Sequence, residues 1–463
     1  MLRRWLVSVV AVSLAPVALS FSSVAGSSPI TTGRYIVVLK DSASAPALAA
    51  SAGGLGATVD SLFSTVNTLV LSLPVLDLKA LQRDPRVAYV TPDRPVAASA
   101  AGDPSVPTGV QRIGAAPASA SAGPATSRAK TPTRKAAVAL LDTGVMDRSD
   151  LNIAGGYDCA PKGGLLGGGG LLGGAATGRT ARDAAKDRTG SGGAGAAPAD
   201  KNGHGTHVAG IVGDEGIPGV IGVSPGTPLY AVRVFGANGS GNISNVICGL
   251  NWVAENAAAL DIKVANLSLG GEGTDDGNCG QTNQDPFHTA ICRVTAAGVT
   301  VVAAAGNEGQ DLAESTPAAY DEVLAVTAMA DYDGAPGGLA TAPACSGGQG
   351  VDDDTVAPFS DYAAPGSSDV DHTIAAPGMC ITSTWNDGGT ETISGTSMAS
   401  PHVAGLVARC IDAGPCAGLT PAQIIKKLRA DAASRPAAEG FFGDPNHPVA
   451  GKYYGPLAVD LGY

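Results

Sequence analysis

The chain has 463 residues, with 41 acidic against 29 basic side chains, a net charge of -12, and only 4% aromatic residues. That acidity argues against nucleic-acid binding as the primary role, because phosphate recognition needs a basic surface. The length exceeds one ordinary domain, and 64 glycines favour close backbone packing over bulky cores.

The first 25 residues read as a secretory signal peptide. Arg3 and Arg4 precede an apolar stretch, Trp5 to Phe21, and Ser23 and Ala25 stand at cleavage-type positions. The alternative is a membrane anchor, but the stretch is short and contains Pro16. No later stretch is long and apolar enough to span a bilayer. The expectation is a secreted, extracellular protein with no membrane anchor.

Residues 31–97 form the next unit, a small α+β module. Arg34 to Lys40 reads as a strand, Pro46 to Ala52 as a helix, and Val66 to Leu73 as a strand. Leu76 to Gln82 reads as a helix and Val87 to Val90 as a last strand. Ala97 to about Pro104 is rich in Ala and Ser, which suits an exposed cleavage segment.

Residues 104–463 alternate apolar strands with helical segments. The strands are Ala136–Leu141, Pro228–Val234, Val264–Leu269, Val299–Ala304 and Val323–Thr327; the helices include Ile243–Ala259 and Ala290–Ala297. This alternation predicts an α/β fold, a parallel sheet with helices on both faces. Two insertions interrupt it. Lys162 to Pro198 is Gly/Ala-rich and is assigned no structure, and Asp331 to Pro358 is a loop carrying Asp352, Asp353 and Asp354.

Four polar constellations sit at the ends of strands or the starts of helices, where open α/β sheets place their sites. The first strand ends in Asp142-Thr143-Gly144. Asn202-Gly203-His204-Gly205-Thr206-His207 opens a small-residue helix, and Val299–Ala304 runs into Ala305-Gly306-Asn307-Glu308. Gly395-Thr396-Ser397-Met398-Ala399 precedes an apolar helix, His402 to Ile411. A serine hydroxyl needs a neighbouring base to become a nucleophile, histidine titrates nearest neutrality, and a carboxylate fixes its tautomer. The order Asp, His, Ser is one of the known triad orders. The spacing of His204 and His207 lacks the glutamate of a zinc-protease helix, so His207 is expected to pack. Ala399 removes the second glycine of a nucleophile elbow.

At these four motifs the chain resembles the subtilase family of serine endopeptidases, from about Val106 onward, with a weaker resemblance over Arg34 to Pro95. The resemblance implies Ser397 as nucleophile, His204 as base and acid, Asp142 as orienting carboxylate and Asn307 as oxyanion donor. It implies a substrate strand held between Ser240-Gly241 and Ser268-Leu269-Gly270. A side-chain pocket would be walled by Leu269-Gly270 and Ala304-Ala305-Gly306 and based near Ser315. Glu314 is the nearest acid in sequence, and its direction is not legible. Residues 31–97 resemble an inhibitor-type propeptide that blocks the cleft until cut off, the alternative being a permanent domain. Partners would be protein or peptide substrates and the chain's own propeptide, on a monomer.

No cofactor is required by this chemistry, and structural calcium is common in the family. Pro317 matches a calcium-ligating backbone position, but Thr373 stands where an aspartate is expected. Asp352 to Asp354 offers another cluster, though such a run reads as solvated surface. The alternatives for function are a processing protease with one partner substrate, or a catalytically silent secreted binding protein.

All eight cysteines follow the first module, and an even count in a secreted chain argues for disulfides. Cys279–Cys292 and Cys410–Cys416 close short loops, and Cys345–Cys380 and Cys159–Cys248 would follow. Formally 105 connectivities exist for eight cysteines.

Overall fold

The structure is a computed structural model that describes residues 32–41, 45–54, 57–63, 67–74, 78–93, 95–97, 107–115, 136–160, 195–216, 220–346 and 350–463. The expected signal peptide and most of the Gly-rich insertion lie outside the described residues.

The N-terminal module contains β1 (Thr32–Leu39), α1 (Ala45–Gly54), β2 (Thr58–Phe63), β3 (Thr68–Pro74), α2 (Leu78–Gln82) and β4 (Val87–Pro92). Its antiparallel sheet has the order β2-β3-β1-β4. Alternation along β1 and β3 gives the sheet two apolar faces. Val37, Leu39, Leu69 and Leu71 pack on the module's own helical side, with Leu48 of α1 and Leu81 of α2. Ile36 and Val70 face the other way and join a core shared with the large domain. Strand β2 is absent from the sequence reading, as is a further three-residue strand, β5 (Pro95–Ala97).

The large domain contains α3 (Gly109–Arg112), β6 (Ala137–Asp142), β7 (Ile153–Asp158), α4 (His204–Gly213), β8 (Leu229–Arg233), β9 (Ser240–Asn242) and α5 (Ile243–Asn256). These are followed by β10 (Ile262–Leu267), β11 (Gly271–Glu272), α6 (Pro286–Ala296), β12 (Thr300–Ala304), β13 (Ser315–Thr316), β14 (Val323–Ala330) and β15 (Thr355–Val356). The chain closes with β16 (Thr373–Met379), a hairpin of β17 (Ile381–Thr384) and β18 (Thr390–Ile393), α7 (Thr396–Ala413) and α8 (Pro421–Ala433).

The main sheet runs β15-β14-β12-β10-β6-β8-β7, with β16 also on β14. Every pairing is parallel except β14 with β15. Its strands are buried on both faces, as parallel strands between helix layers must be. Val138 and Leu140 point to the layer of α4, α7 and α8, whereas Ala137, Ala139 and Leu141 point to the layer of α5 and α6. The fold is therefore α/β with helices on both faces, as the alternation predicts.

The four disulfides are Cys159–Cys248, Cys279–Cys292, Cys345–Cys380 and Cys410–Cys416, the pairs expected from sequence. The acidic run is solvated only at Asp352. Asp353 and Asp354 are buried. Asp354 accepts two bonds from Arg112, at 2.8 and 3.0 Å, and Asp353 accepts backbone N–H groups of Tyr332 and Ala340. They staple the 331–358 loop to the start of the domain.

Candidate active site

Strand β6 ends at Asp142, and helix α4 opens at His204. His204 Nδ1 lies 2.8 and 3.0 Å from the two Asp142 carboxylate oxygens, and both residues are buried. Burial alone would lower the imidazole pKa, but the Asp142 charge and hydrogen bond outweigh it and hold the pKa above its ordinary 6.5.

A residue that the sequence reading missed locks these two elements together. Asp200 Oδ1 accepts the Thr143 hydroxyl at 2.9 Å and the N–H groups of Asn202 and Gly203. Its Oδ2 accepts the Thr206 N–H and hydroxyl at 2.9 and 2.6 Å. Thr143 Oγ1 in turn accepts the Gly205 N–H at 2.9 Å. The signal was an aspartate just before the helix start, a position that favours capping. At Gly203, φ is 116°, and an added Cβ would stand 2.3 Å from the Trp385 ring, so only glycine fits. His207 packs as expected, bonded to the carbonyls of Ile381 and Glu391, and burial pushes its pKa down to about 3.

Ser397 lies in the first turn of α7, one turn earlier than the apolar run suggests. Its hydroxyl donates to the Ser268 carbonyl at 3.2 Å, and His204 Nε2 has no hydrogen-bond partner among the described residues. The serine and histidine are thus not hydrogen-bonded here, a looseness common before substrate binds. Ser268 Oγ donates back to the Ser397 carbonyl at 2.7 Å, and Asn266 on β10 binds both Ser268 and Ser400. Asn307 Oδ1 accepts the Thr396 N–H at 2.8 Å and its hydroxyl at 3.0 Å. With Oδ1 occupied, the amide's NH₂ group remains as its donor.

Ser397, Thr396 and Asn307 line one cavity of about 420 Å³ together with Leu269, Gly270, Ala304, Ala305, Gly306 and Ser315. Glu314 does not line it and instead borders a larger cavity, of about 680 Å³, beside the N-terminal module. The acids on the smaller cavity are Glu272 and Glu308, and Glu308 accepts the Asn307 N–H at 2.8 Å.

Ser240 and Gly241 lie apart from that cavity on β9, where β5 pairs with them antiparallel: Val96 stands opposite Gly241 and Ala97 opposite Ser240. Asp93, just before β5, accepts the Ser244 N–H at 2.8 Å and the Ser244 hydroxyl at the start of α5. The N-terminal module thus occupies the edge expected to receive a substrate strand.

The calcium position implied by resemblance lacks its carboxylate, since Thr373 stands there. The Pro317 carbonyl accepts the Tyr320 N–H at 3.1 Å, and the Thr373 hydroxyl donates to the Asp369 carbonyl. A grouping of Asp331, Asp333 and Asp353 lies beside Arg112, whose guanidinium already supplies positive charge.

The profile of the Peptidase S8 subtilase family matches residues 133–446. A cuticle-degrading serine protease of Arthrobotrys oligospora is 36% identical over 249 residues, 53% of this chain and 50% of that protein. An M-protease of Shouchella clausii is 34% identical over 341 residues, 73% of this chain and 68% of that one. A solved cold-adapted subtilisin-like serine proteinase aligns at 27% identity and TM-score 0.49, covering 77% of this chain and 99% of its own. The chain therefore spans half the length of the first of these relatives. With the family profile covering 133–446 and these identities, the chain belongs to the subtilase family.

Proposed function

We propose that this chain is a secreted serine endopeptidase made as an inactive precursor. The observation that carries the reading is the Asp142–His204 contact at 2.8 Å, together with a cavity lined by Ser397 and Asn307. Ser397 Oγ attacks the scissile carbonyl carbon while His204 Nε2 takes its proton. The oxyanion is held by the Asn307 amide and by the Ser397 N–H, one of the unpaired donors of the first turn of α7. His204 then delivers the proton to the leaving amine nitrogen as the C–N bond breaks, leaving an acyl-serine. Water, deprotonated by His204, releases the acid and restores the hydroxyl.

Substrate adds as a strand to the β9 edge and to Ser268-Leu269-Gly270, so recognition rests on main-chain bonds and one side-chain pocket. Residues 31–97 act as the inhibitory propeptide. The β5–β9 pairing and the Asp93 contacts to Ser244 support this reading, since both cover the edge that substrate needs. Secretion is supported by the four disulfides. The test is hydrolysis of denatured casein by wild type and Ser397→Ala: activity confined to the wild type, with the mutant retaining its N-terminal module, is the expected result. Equal activity refutes the assignment.

A further inference from the structure

Loop 275–283 and helix α6 carry a side-chain cluster that the peptidase chemistry does not use. His288 is buried, its ring stacked on Tyr320 with centroids 4.1 Å apart and planes 3° from parallel. Nε2 lies 2.8 Å from a Glu322 carboxylate oxygen. Nδ1 faces Asp275 Oδ1 and Asp276 Oδ1, each at 3.3 Å, and makes a hydrogen bond to neither. Backbone N–H groups hold both carboxylates in place: Asp276 and Gly277 donate to Asp275 Oδ1, and Asn278 and Gly280 to Asp276 Oδ1.

From this geometry we propose that His288 Nδ1, Asp275 and Asp276 form a binding site for one zinc ion, with a fourth, open position taken by water. Three observations converge. Nitrogen and oxygen ligands bound at about 2.0–2.1 Å to a tetrahedral ion stand about 3.3 Å from one another, the separation of Nδ1 from each oxygen. Glu322 faces Nε2 at 2.8 Å, and a carboxylate on the far nitrogen is the usual partner of a zinc-bound histidine, whose Nδ1 lone pair then goes to the ion. The buried Nδ1 has no hydrogen-bond partner among the described residues and is aimed at both carboxylates. The nearby cysteines do not compete, because Cys279 and Cys292 are joined as a disulfide. An imidazole ligand favours zinc over calcium, which takes oxygen.

The experiment uses the purified protein treated with a serine-directed sulfonyl fluoride and dialysed against metal-free buffer. Zinc is titrated calorimetrically, and cobalt(II) is added separately and followed by its visible absorption. The expected result is one zinc per chain and the intense bands of tetrahedral cobalt. Asp275→Asn, at a partly exposed position, should weaken zinc binding by at least about 100-fold, and Glu322→Gln by about 10–100-fold. The cobalt spectrum is read on the unaltered chain, so the test stands even if a variant misfolds. No zinc uptake, uptake unchanged in Asp275→Asn, calcium bound in its place, or octahedral cobalt bands would each overturn the site.

Discussion

The Asp200 carboxylate accepts the Thr143 hydroxyl at 2.9 Å, and through that bond the strand ending in Asp142 is tied to the helix opening at His204. That carboxylate takes five hydrogen bonds among the described residues, from Thr143, Asn202, Gly203 and both polar groups of Thr206. The acid and the base are therefore held by one buried side chain that belongs to neither.

Asp200→Ala leaves several buried donors without an acceptor and should cost about 2–4 kcal/mol of stability, read from urea unfolding of the protein inactivated at its serine. Asp200→Asn keeps the shape and removes the charge. Because the Asp200 charge helps raise the His204 pKa, this variant should shift the acid limb of kcat/KM to lower pH. An unshifted limb would remove Asp200 from the electrostatics of the base.

The acid limb itself follows from the His204 shift. In the proposed mechanism His204 acts as the neutral imidazole, and its pKa is held above 6.5. Activity should therefore fall as pH drops through a midpoint higher than an ordinary histidine's. The stability contributed by the charged imidazole is full below its unfolded pKa and is lost as pH rises through the folded one. A pH series of kcat/KM with a midpoint below 6.5 would contradict this assignment of direction.

Asn307→Ala should fold and mature more slowly while keeping some activity. Its turnover should drop by about 10²–10³-fold, the range seen when a subtilisin loses its oxyanion-hole asparagine. Steady-state kinetics on one peptide check this. An unchanged kcat, or a loss confined to KM, would show that the amide does not reach the oxyanion.

Cleavage should favour a large uncharged side chain before the scissile bond. Ala304, Ala305 and Gly306 leave room for it, and burial of its apolar surface contributes about 25 cal/mol per Å². The acids that line this cavity are Glu272 and Glu308 rather than Glu314, and Glu308 adjoins Asn307. Its carboxylate is engaged by the Asn307 N–H at 2.8 Å, which reduces what it offers a basic guest. In a peptide panel, Leu, Phe and Tyr should exceed Arg and Lys in kcat/KM, and Glu308→Gln should lower the Arg and Lys rates further. Faster cleavage after Arg or Lys would reverse the account of the pocket.

Much of the fold is legible because its strands are continuous apolar runs and its candidate site residues stand where those runs end. Asp142, His204, Asn307 and Ser397 each interrupt such a pattern. Asp200 does not, since an aspartate in a polar loop reads as a turn former until its five donors are seen. Strand β5 has no pattern of its own and exists through its pairing with β9. Asp353 and Asp354 read as solvated because their partners are remote: Arg112 lies 242 residues before Asp354. His288 lies just before the helix Ala290–Ala297 of the sequence reading, and only the fold brings Asp275, Asp276 and Glu322 around it.

The most direct test of the central claim is an active-site titration of the secreted product with a chromogenic acylating ester. Wild type should release a burst of one leaving group per mature chain, with mass spectrometry placing the acyl group on Ser397 and finding residues 31–97 removed. Ser397→Ala should give no burst and keep its N-terminal module, with turnover down on the order of 10⁶-fold, as for a subtilisin without its nucleophile. A burst in Ser397→Ala, or acylation of any other residue in the wild type, would contradict the account.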